Sequence, residues 1–498
     1  MKKYFFYIIV MISAILFCLG FINKESNNIS NTNFEETLSY GMDEIPENLE
    51  KVTNLSKRHE DVMCAVSKGL VSKNEDNEII PSLASEIIKD PEGIQYEFKI
   101  RDNIFWSDKS KITPNDIVVF FKELLKEEDE KNIQAILDVY GAKEFKEGKI
   151  IFETGVAIKS SESSVIIRLN KKNDNFLNEL SKPQYRLRKY LIMWANIQNN
   201  YKELVYSGDY KIDDISKGKM VLKSNNTSSD ISISHIDILN DDSSEMSMAS
   251  YEVKQRDIVI DPPQSELNKL DEEKKLVTVP ETKATYLVMN KKDNSIPIQG
   301  RREIYNKVCK AIESYQNLNN KEFELAEGSF FREDKQDLTK LQARKVGSNK
   351  ENDWNKPKIL TLLCEDNNEN RILCRSIQDW FQKNTDITIK YSLVKDEFQD
   401  EELKKRYDML LINNEANILD KKIFYSKFEE YLTVDQKKLL QNTTINNGNY
   451  NYSALEENLF DNYNVLPLVY YNENIAISNK ISELKLDGNG NIDFATIK

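Results

Sequence analysis

The 498-residue sequence contains very little histidine and glycine: two histidines, His59 and His235, and fifteen glycines. The two histidines lie far apart, and neither has a cysteine or carboxylate cluster at the spacing of a metal site. A histidine-based metal centre and a Ser/His/Asp triad therefore lack the residues that they require. So few glycines leave little room for a phosphate-binding loop. We expect no enzymatic activity, no bound metal and no cofactor.

Cysteine is also scarce, with five residues in the whole chain. Cys64, Cys309, Cys364 and Cys374 have spacings that fit neither a zinc site nor the disulfide framework of a small secreted domain. We expect these four to be small buried hydrophobic residues.

The chain has fewer positive than negative side chains: 69 Lys and Arg and 82 Asp and Glu, which give a net charge of -13. This balance repels nucleic acid and anionic lipid at long range, so we expect no nucleic-acid partner. The length exceeds that of a single compact core and predicts two or three lobes.

The N-terminus carries a long apolar run. Lys2 and Lys3 precede an uncharged stretch over residues 4–22 that is just long enough to span a bilayer as a helix. The lysines place the N-terminus inside the cell and the rest of the chain in the extracytoplasmic space. We therefore interpret residues 1–22 as a signal or membrane-anchor segment. Three attachments remain open: a lipid anchor on Cys18, cleavage after Gly20, or an uncleaved helix that tethers the protein.

The rest of the chain alternates between strand and helix patterns, which is typical of an α/β protein. The clearest series predicts strands over residues 358–366, 386–394 and 406–413, with helices over 371–383 and 397–405 between them. Two crossovers of this kind make the three strands parallel.

A strand followed by a capped helix is predicted earlier in the chain. "YEFKI", residues 96–100, alternates apolar and polar residues. Thr113 is a suitable N-cap, Pro114 suits the first helical position, and Asp116 suits the positive end of the helix dipole. A stripe of apolar residues then predicts a helix face in the core: Ile117, Phe120, Phe121, Leu124 and Leu125.

Two segments, "GLVSKNEDNEIIPSLASEI" (69–87) and "YEFKIRDNIFWSDKSKITPNDIVVFFKELL" (96–125), together resemble the start of the family 5 extracellular solute-binding proteins of ABC importers, the oligopeptide, dipeptide and nickel receptors. The resemblance continues through "SGDYKI", "KQRDIVI", "VPETKATYLVMN" and "LPLVYYNENIAIS". The positions that carry it in the first two segments are Leu70, Asp76, Pro81, Leu83, Ala84, Phe98, Arg101, Trp106, Ser107, Asp108, Thr113 and Asp116.

This resemblance implies a two-lobed, type II periplasmic-binding-protein-like α/β fold with a hinge between the lobes and an additional inserted subdomain. A discontinuous first lobe would comprise residues 34–58, 207–280 and 468–498. The inserted subdomain would comprise residues 59–206, and the second lobe residues 281–467.

The function implied is that of an extracytoplasmic substrate-binding protein, a monomer that captures peptides between its lobes and delivers them to ABC permease subunits. Alternatives remain open. The same fold could bind another solute, such as a signalling peptide or a metal chelate, or act as a sensor. A secreted enzyme, or a receptor that has lost binding, is a further alternative that the missing catalytic residues disfavour.

The binding site departs from the family pattern. Peptide binders of this family have a Gly-Trp-x-x-Asp stretch whose aspartate pairs with the ligand ammonium. Here the stretch reads "INNEANILD", residues 412–420, in which Glu415 is the candidate ammonium partner and a solvated loop is the alternative. The other candidate ligand contacts, each of which could equally serve packing, are Asn54, Leu55, Tyr286, Asn290, Asn413, Asn414 and Tyr471. Because side chains alternate along a strand, only one of Tyr470 and Tyr471 can face the cleft.

Overall fold

The computed structural model describes residues 37–225, 231–290, 296–316, 321–333, 354–418, 421–442 and 452–498. The predicted leader over residues 1–22, including Cys18, lies outside these ranges. None of the helices in the described part of the chain is both long enough and apolar enough to cross a bilayer.

The strands, in chain order, are β1 (Thr37–Met42), β2 (Val71–Lys73), β3 (Ile79–Pro81), β4 (Ala84–Lys89), β5 (Gln95–Ile100), β6 (Ile158–Ser160), β7 (Ser164–Arg168), β8 (Tyr210–Ser216), β9 (Lys219–Ser224), β10 (His235–Asn240), β11 (Ile258–Ile260), β12 (Leu276–Met289), β13 (Phe323–Leu325), β14 (Ile359–Glu365), β15 (Thr388–Val394), β16 (Met409–Glu415) and β17 (Val465–Ile477).

The α-helices are α1 (Lys57–Val66), α2 (Pro114–Glu127), α3 (Gln134–Leu137), α4 (Ala142–Lys146), α5 (Phe152–Gly155), α6 (Phe176–Leu180), α7 (Ile197–Asn200), α8 (Ser244–Glu252), α9 (Gln264–Glu272), α10 (Ile298–Gln316), α11 (Asn368–Asn384), α12 (Glu401–Lys404), α13 (Lys421–Ser426), α14 (Val434–Asn442) and α15 (Ser453–Asp461).

One hydrogen-bonded sheet runs through both lobes, in the order β15-β14-β16-β12-β17-β11-β1-β10-β9-β8, with β13 paired to β17. The two long central strands, β12 and β17, belong to both lobes. Their ends next to β11 lie in the first lobe, and their other ends lie beside β16 in the second lobe. The α/β architecture confirms the predicted fold class, and these two strands form the connection between the lobes.

The three strands that the sequence predicts as parallel are parallel. β14 pairs with β15 and with β16 in parallel register, and α11 forms the first crossover between them. The predicted second helix, over residues 397–405, is instead a short 3-10 helix, Asp396–Gln399, followed by the single turn of α12.

The inserted part of the chain forms a separate four-stranded antiparallel sheet, in the order β4-β5-β7-β6, covered by α2. Strand β5 and the start of α2 confirm the sequence predictions. The Thr113 hydroxyl accepts from the Asp116 N–H, and the Asp116 carboxylate accepts from the Thr113 N–H, which completes a capping box. The predicted apolar stripe of α2 is buried throughout.

Each unit has its own hydrophobic core. The second-lobe core is built on β12, β14, β16 and β17, with α10 and α11 packed against them. The inserted sheet and α2 enclose a second core that includes Phe98, Trp106 and Phe120. The first-lobe core joins β1, β8, β10 and the end of β17. Three large cores and a small fourth one around Val259, counted over the described residues, fit the length of the chain better than a single core would.

Gly208 marks the point where the chain enters the first lobe again. A Cβ at this position would lie 2.3 Å from the Ala65 carbonyl oxygen and 2.4 Å from the Ser67 nitrogen. Both obstacles are backbone atoms, so no side-chain movement could relieve the clash. The glycine in "SGDYKI" is therefore required by close packing against the end of α1.

The four described cysteines have free thiols. Cys364 and Cys374 are buried, with their sulfur atoms 2.7 Å apart, as the prediction of small buried residues requires. Cys64 and Cys309 are only partly buried, so the prediction of burial is wrong for these two. The sequence pattern around Cys64 and Cys309 did not distinguish a fully enclosed position from one at the margin of a core.

Candidate ligand-binding cleft

The two connecting strands are interrupted by a bulge at the junction of the lobes. The register passes from Pro280 opposite Asn472 to Ala284 opposite Tyr470, so residues 281–283 face Tyr471 alone. Extra residues in one strand leave the ladder with the partner strand, here β17, and the backbone bends at that point. The bulge therefore presents Glu281 and Lys283 at the hinge.

The bulge lies at the carboxyl ends of the parallel strands of the second lobe. β14 ends at Glu365 and β16 at Glu415, and Lys283 of the bulge is directly opposite Glu415. In open α/β sheets, ligands bind outside the carboxyl ends of the strands. This rule and the position of the hinge identify the same place, the cleft between the lobes.

A group of carboxylates surrounds the hinge, and we call it the hinge carboxyl cluster. Its members are Asp261 and Glu473 on the first-lobe side, Glu281 in the bulge, and Glu369 and Glu415 on the second-lobe side. Lys283 forms an ion pair with Glu369, and the Thr282 hydroxyl donates to Glu415. Two cations, Lys283 and the Arg58 that contacts Glu473, stand against five carboxyl groups, so this part of the cleft carries a net negative charge.

Burial and neighbouring like charges raise the pKa values of two of these carboxyl groups. Desolvation, reinforced by Asp261 and Glu473, raises the pKa of Glu281 to about 7. Desolvation, opposed by Arg58 but reinforced by Asp261, raises the pKa of Glu473 to about 7. Both groups therefore change charge close to neutral pH.

Asp261 is held in an uncommon backbone conformation at the end of β11. Its φ is +42°, in the left-handed region that residues other than glycine seldom adopt. Its N–H donates to the Asn474 carbonyl at 2.7 Å, and its carboxylate accepts from the Asn474 N–H at 3.1 Å. These two bonds to β17 fix an exposed carboxylate on the first-lobe side of the cleft.

Arg58 links the cluster to the interior of the first lobe. Its guanidinium lies 2.9 Å from the Asp61 carboxylate and 3.2 Å from that of Glu473, and it donates to the Gly490 carbonyl at 2.8 Å. Asp61 also accepts from the Tyr40 hydroxyl at 2.9 Å. Burial raises the pKa of Asp61 to about 6 although Arg58 opposes the shift. Arg58 is thus committed to two carboxylates.

Three of the residues predicted from the sequence come together at the cleft: Asn413, Glu415 and Tyr471. The Tyr471 hydroxyl lies 2.9 Å from the Thr285 hydroxyl, which donates to Asn413 Oδ1 at 2.7 Å. Glu415 is exposed at the end of β16. Asn414 points to the other face of the sheet, where it is 4 % exposed and its amide has no hydrogen-bond partner among the described residues.

Tyr286 and Asn290 lie elsewhere. Tyr286 is fully buried, its hydroxyl donates to the Phe330 carbonyl at 2.7 Å, and its ring packs against Phe424 and Phe428. The Asn290 amide donates to the carbonyls of Lys404 and Tyr407 at the end of α12. The structure gives both residues a packing or capping role and no surface on the cleft.

Tyr470 and Tyr471 face opposite sides of the sheet, as the alternation requires. Tyr470 is fully buried, and its hydroxyl donates to the Ser329 carbonyl on the face that also holds Tyr286. Tyr471 is 6 % exposed and lies on the face of Lys283, whose amine is 5.3 Å from its ring centre.

The predicted first-lobe contacts belong to a short 3-10 helix, Val52–Asn54, and to Leu55 after it. Leu55 is partly buried against the first-lobe core. The Asn54 side chain lies outside the described part of the structure. The Val52 N–H donates to the Glu128 carboxylate at 3.0 Å, so this segment joins the first lobe to the inserted subdomain.

Sequence reasoning missed most of the hinge carboxyl cluster. Glu281 and Lys283 lie in "VPETKATYLVMN", and Glu473 lies in "VYYNENIAIS", both of which were used for the resemblance. Charged residues inside otherwise apolar strands are unusual and could have identified them. Asp261 and Glu369 had no such signal, because only the fold brings them to the hinge.

A partly open cavity of about 400 Å³ lies away from the hinge, between the first lobe, the inserted subdomain and the C-terminal segment. Six of its eight charged lining groups are paired with one another: Lys68 with Asp209 at 2.7 Å, Arg186 with Asp487 at 3.4 Å, and Lys485 with Glu75 at 2.9 Å. Because most of the charge in this cavity is paired internally, the hinge cleft is the stronger candidate for a charged ligand.

Comparison with known proteins gives one family match and a set of structural matches. Residues 78–309 match the family model of bacterial extracellular solute-binding proteins, family 5 middle. No curated protein sequence matches the chain.

Solved structures share the fold over nearly the whole chain. One is the unliganded open form of MppA, the Escherichia coli periplasmic murein tripeptide-binding protein, with 17% identity, a TM-score of 0.66, and coverage of 90% of this chain and 93% of that one. Another is Listeria monocytogenes OppA bound to peptide, with 16% identity, a TM-score of 0.58, and coverage of 93% and 99%. A third is Staphylococcus aureus NikA in complex with Ni(L-His)2, with 15% identity, a TM-score of 0.59, and coverage of 93% and 99%.

Proposed function

We propose that this chain is a divergent member of the family 5 extracellular solute-binding proteins, whose family model matches residues 78–309, and that it is the peptide-capturing receptor of an ABC importer. It binds a peptide between its two lobes outside the cytoplasmic membrane and presents it to permease subunits. No bond of the peptide is made or broken. The protein acts as a monomer, attached to the membrane by a lipid on Cys18 or by its N-terminal helix.

The observation that carries this proposal is the hinge carboxyl cluster, to which both lobes contribute. Closing the cleft brings Asp261 and Glu473 toward Glu369 and Glu415, and like charges disfavour that approach. A ligand ammonium placed among these carboxylates attracts both sides, so the electrostatic energy then favours closure. A cationic ligand therefore favours the closed form by as much as it binds that form better than the open one.

Peptides fit this chemistry because each carries one ammonium group beside a row of backbone donors and acceptors. Glu415 and Glu281 are the proposed ammonium partners, since both lie at the junction and charge-assisted hydrogen bonds are the stronger ones. The rest of an extended peptide would run along the strand ends of both lobes, where backbone contacts give affinity without reading side chains.

The test is calorimetric titration of the purified extracytoplasmic chain with trialanine and with N-acetyl-trialanine. We expect trialanine to bind and the acetylated peptide, which has no ammonium, to bind at least tenfold more weakly. Glu415→Gln should weaken trialanine binding, whereas Glu92→Gln, an exposed glutamate of the inserted subdomain, should not. Equal affinity for the two peptides would contradict the role of the cluster.

A metal chelate is the second candidate, because one similar structure holds Ni(L-His)2. Within the described residues, no group of three or more His, Cys, Asp or Glu side chains could hold a bare metal ion. A chelate that brings its own ligands would not need such a group. Titration with nickel-histidine in place of peptide distinguishes the candidates, since binding of the chelate without binding of trialanine would favour the second.

A further inference from the structure

We infer that the side-chain amide of Asn413 is a ligand-binding hydrogen-bond donor to a peptide carbonyl oxygen, and that Thr285 and Tyr471 are positioning residues that orient it. This inference rests on the proposed function, which it extends from the ammonium end of the ligand to its backbone. It concerns an uncharged contact at the second-lobe wall of the cleft.

The three side chains form a hydrogen-bonded series across three neighbouring strands. Tyr471 is on β17, Thr285 on β12 and Asn413 on β16, and Thr285 is directly opposite Asn413 in the ladder. The distances are 2.9 Å between the Tyr471 and Thr285 hydroxyls and 2.7 Å between the Thr285 hydroxyl and Asn413 Oδ1. Both lie in the normal range for O–H···O bonds.

The direction of the series follows from hydrogen-bond satisfaction. Thr285 has one hydroxyl proton, so it can donate to only one of its two neighbours. If it donates to Asn413 Oδ1, the Tyr471 hydroxyl can donate to Thr285, and both hydroxyl protons of the series are satisfied. In the reverse direction the Tyr471 hydroxyl proton has no acceptor among the described residues, which costs about 1–3 kcal/mol in a buried place.

Tyr471 remains a donor at any ordinary pH. The side chain is 6 % exposed, and burial raises the pKa of its hydroxyl further above the usual value. The hydroxyl therefore stays protonated and keeps Thr285 donating toward Asn413. The amide oxygen of Asn413 is consequently turned inward, and its NH2 group is turned away from Thr285.

This orientation leaves an amide donor at the edge of the cleft. Asn413 is half-buried, and no partner for its nitrogen is found among the described residues. Glu415, two residues further along β16, projects from the same face of the sheet. A ligand carboxylate would be repelled by Glu415 and Glu369, so the acceptor that suits Asn413 is the neutral carbonyl of a peptide bond.

The variants that test the inference separate the donor from the series that positions it. Asn413→Asp keeps an oxygen that can accept from Thr285 and removes the donor. Thr285→Val keeps the shape and removes the hydroxyl, and Thr285→Ser restores it. Thr278→Val is the matched control, because Thr278 is on the same strand and makes a similar hydroxyl bond to Asn474 Oδ1 at 2.9 Å in the first lobe.

The measurement is the Kd for trialanine, with circular dichroism and thermal unfolding of each variant to confirm folding. We expect Asn413→Asp and Thr285→Val each to raise Kd about 3- to 10-fold, the range of one neutral hydrogen bond. The double variant should bind no more weakly than Asn413→Asp alone, because both changes remove the same bond. Thr285→Ser and Thr278→Val should keep the wild-type Kd.

The outcomes distinguish the two proposals. Wild-type protein that binds trialanine while Asn413→Asp and Thr285→Val bind it equally well would overturn this inference and leave the proposed function intact. Additive losses in the double variant would also overturn it, because independent losses mean that Thr285 does not act through Asn413. Wild-type protein that binds no trialanine would overturn the proposed function, and the inference would fall with it.

Discussion

Replacing Glu281 by glutamine should stabilise the unliganded protein at alkaline pH and have little effect at acid pH. The Glu281 carboxyl has neither a hydrogen bond nor an ion pair with the described residues, and it lies near Asp261 and Glu473. Its ionised form is therefore poorly compensated in the folded state. Glutamine keeps the size of the side chain and removes the charge.

The magnitude follows from the pKa of Glu281, which desolvation and its carboxylate neighbours raise from 4.5 to about 7. Between these values the folded protein holds a proton that the unfolded chain has released, so stability is lost as the pH rises through this window. At 1.36 kcal/mol per pH unit, the loss above pH 7 is at most about 3 kcal/mol. Because solvent reaches part of the side chain and the neighbours share the effect, we expect Glu281→Gln to recover about 1–2 kcal/mol at pH 8.

The assay is the melting temperature of wild type and Glu281→Gln by calorimetry at pH 5, 6, 7 and 8, with Glu92→Gln as the exposed control. The variant should melt higher than wild type at pH 8, and the difference should vanish near pH 5, where the wild-type carboxyl is protonated. A constant difference at all four pH values, or a variant that melts lower at pH 8, would refute the reasoning. The same variant should bind trialanine more weakly, as expected where a functional group is kept at a cost in stability.

Further predictions concern the packing around the site. Tyr286→Phe should lower the free energy of unfolding by about 1 kcal/mol, through loss of the bond to the Phe330 carbonyl, and should leave the Kd for trialanine unchanged; a large change in Kd would place Tyr286 on the cleft after all. Gly208→Ala should destabilise by more than about 2 kcal/mol in chemical unfolding, because its Cβ would meet backbone atoms of residues 65–67, and a neutral result would contradict that packing. Thr113→Ala should cost about 1 kcal/mol through loss of the α2 cap, measured in the same way.

Much of the fold could be predicted from local patterns. The capped start of α2 and the apolar strand-helix-strand series of β14, α11 and β15 depend on residues close together in the chain, and these predictions are confirmed. The boundaries of the short helices could not be predicted as well, because a single turn such as α12 depends on distant contacts such as those of Asn290 with the carbonyls of Lys404, its last residue, and of Tyr407 beyond it.

The site was less predictable, because it depends on the register of distant strands. Thr285 and Tyr286 are neighbours in sequence, yet one faces the cleft and the other the core. The alternation of side chains along a strand predicts that the two residues lie on opposite faces of the sheet. Only the pairing of β12 with β16 shows which of the two faces the cleft. Asp261 and Glu369 are 108 residues apart in sequence, and nothing local in either segment indicates that they share a cleft.

The bulge at residues 281–283 also bears on how such a protein could change what it accepts. Its three residues lie between two paired stretches of β12 and β17, from 276 to 280 and from 284 to 288, the second of which has a further register shift between Thr285 and Tyr286. Side chains within the bulge can therefore be exchanged while the pairing on both sides stays as it is. The residues that contact the ligand at the bulge are therefore distinct from those that hold the two lobes together. Substitutions at residues 281–283 could change ligand specificity without a redesign of either lobe.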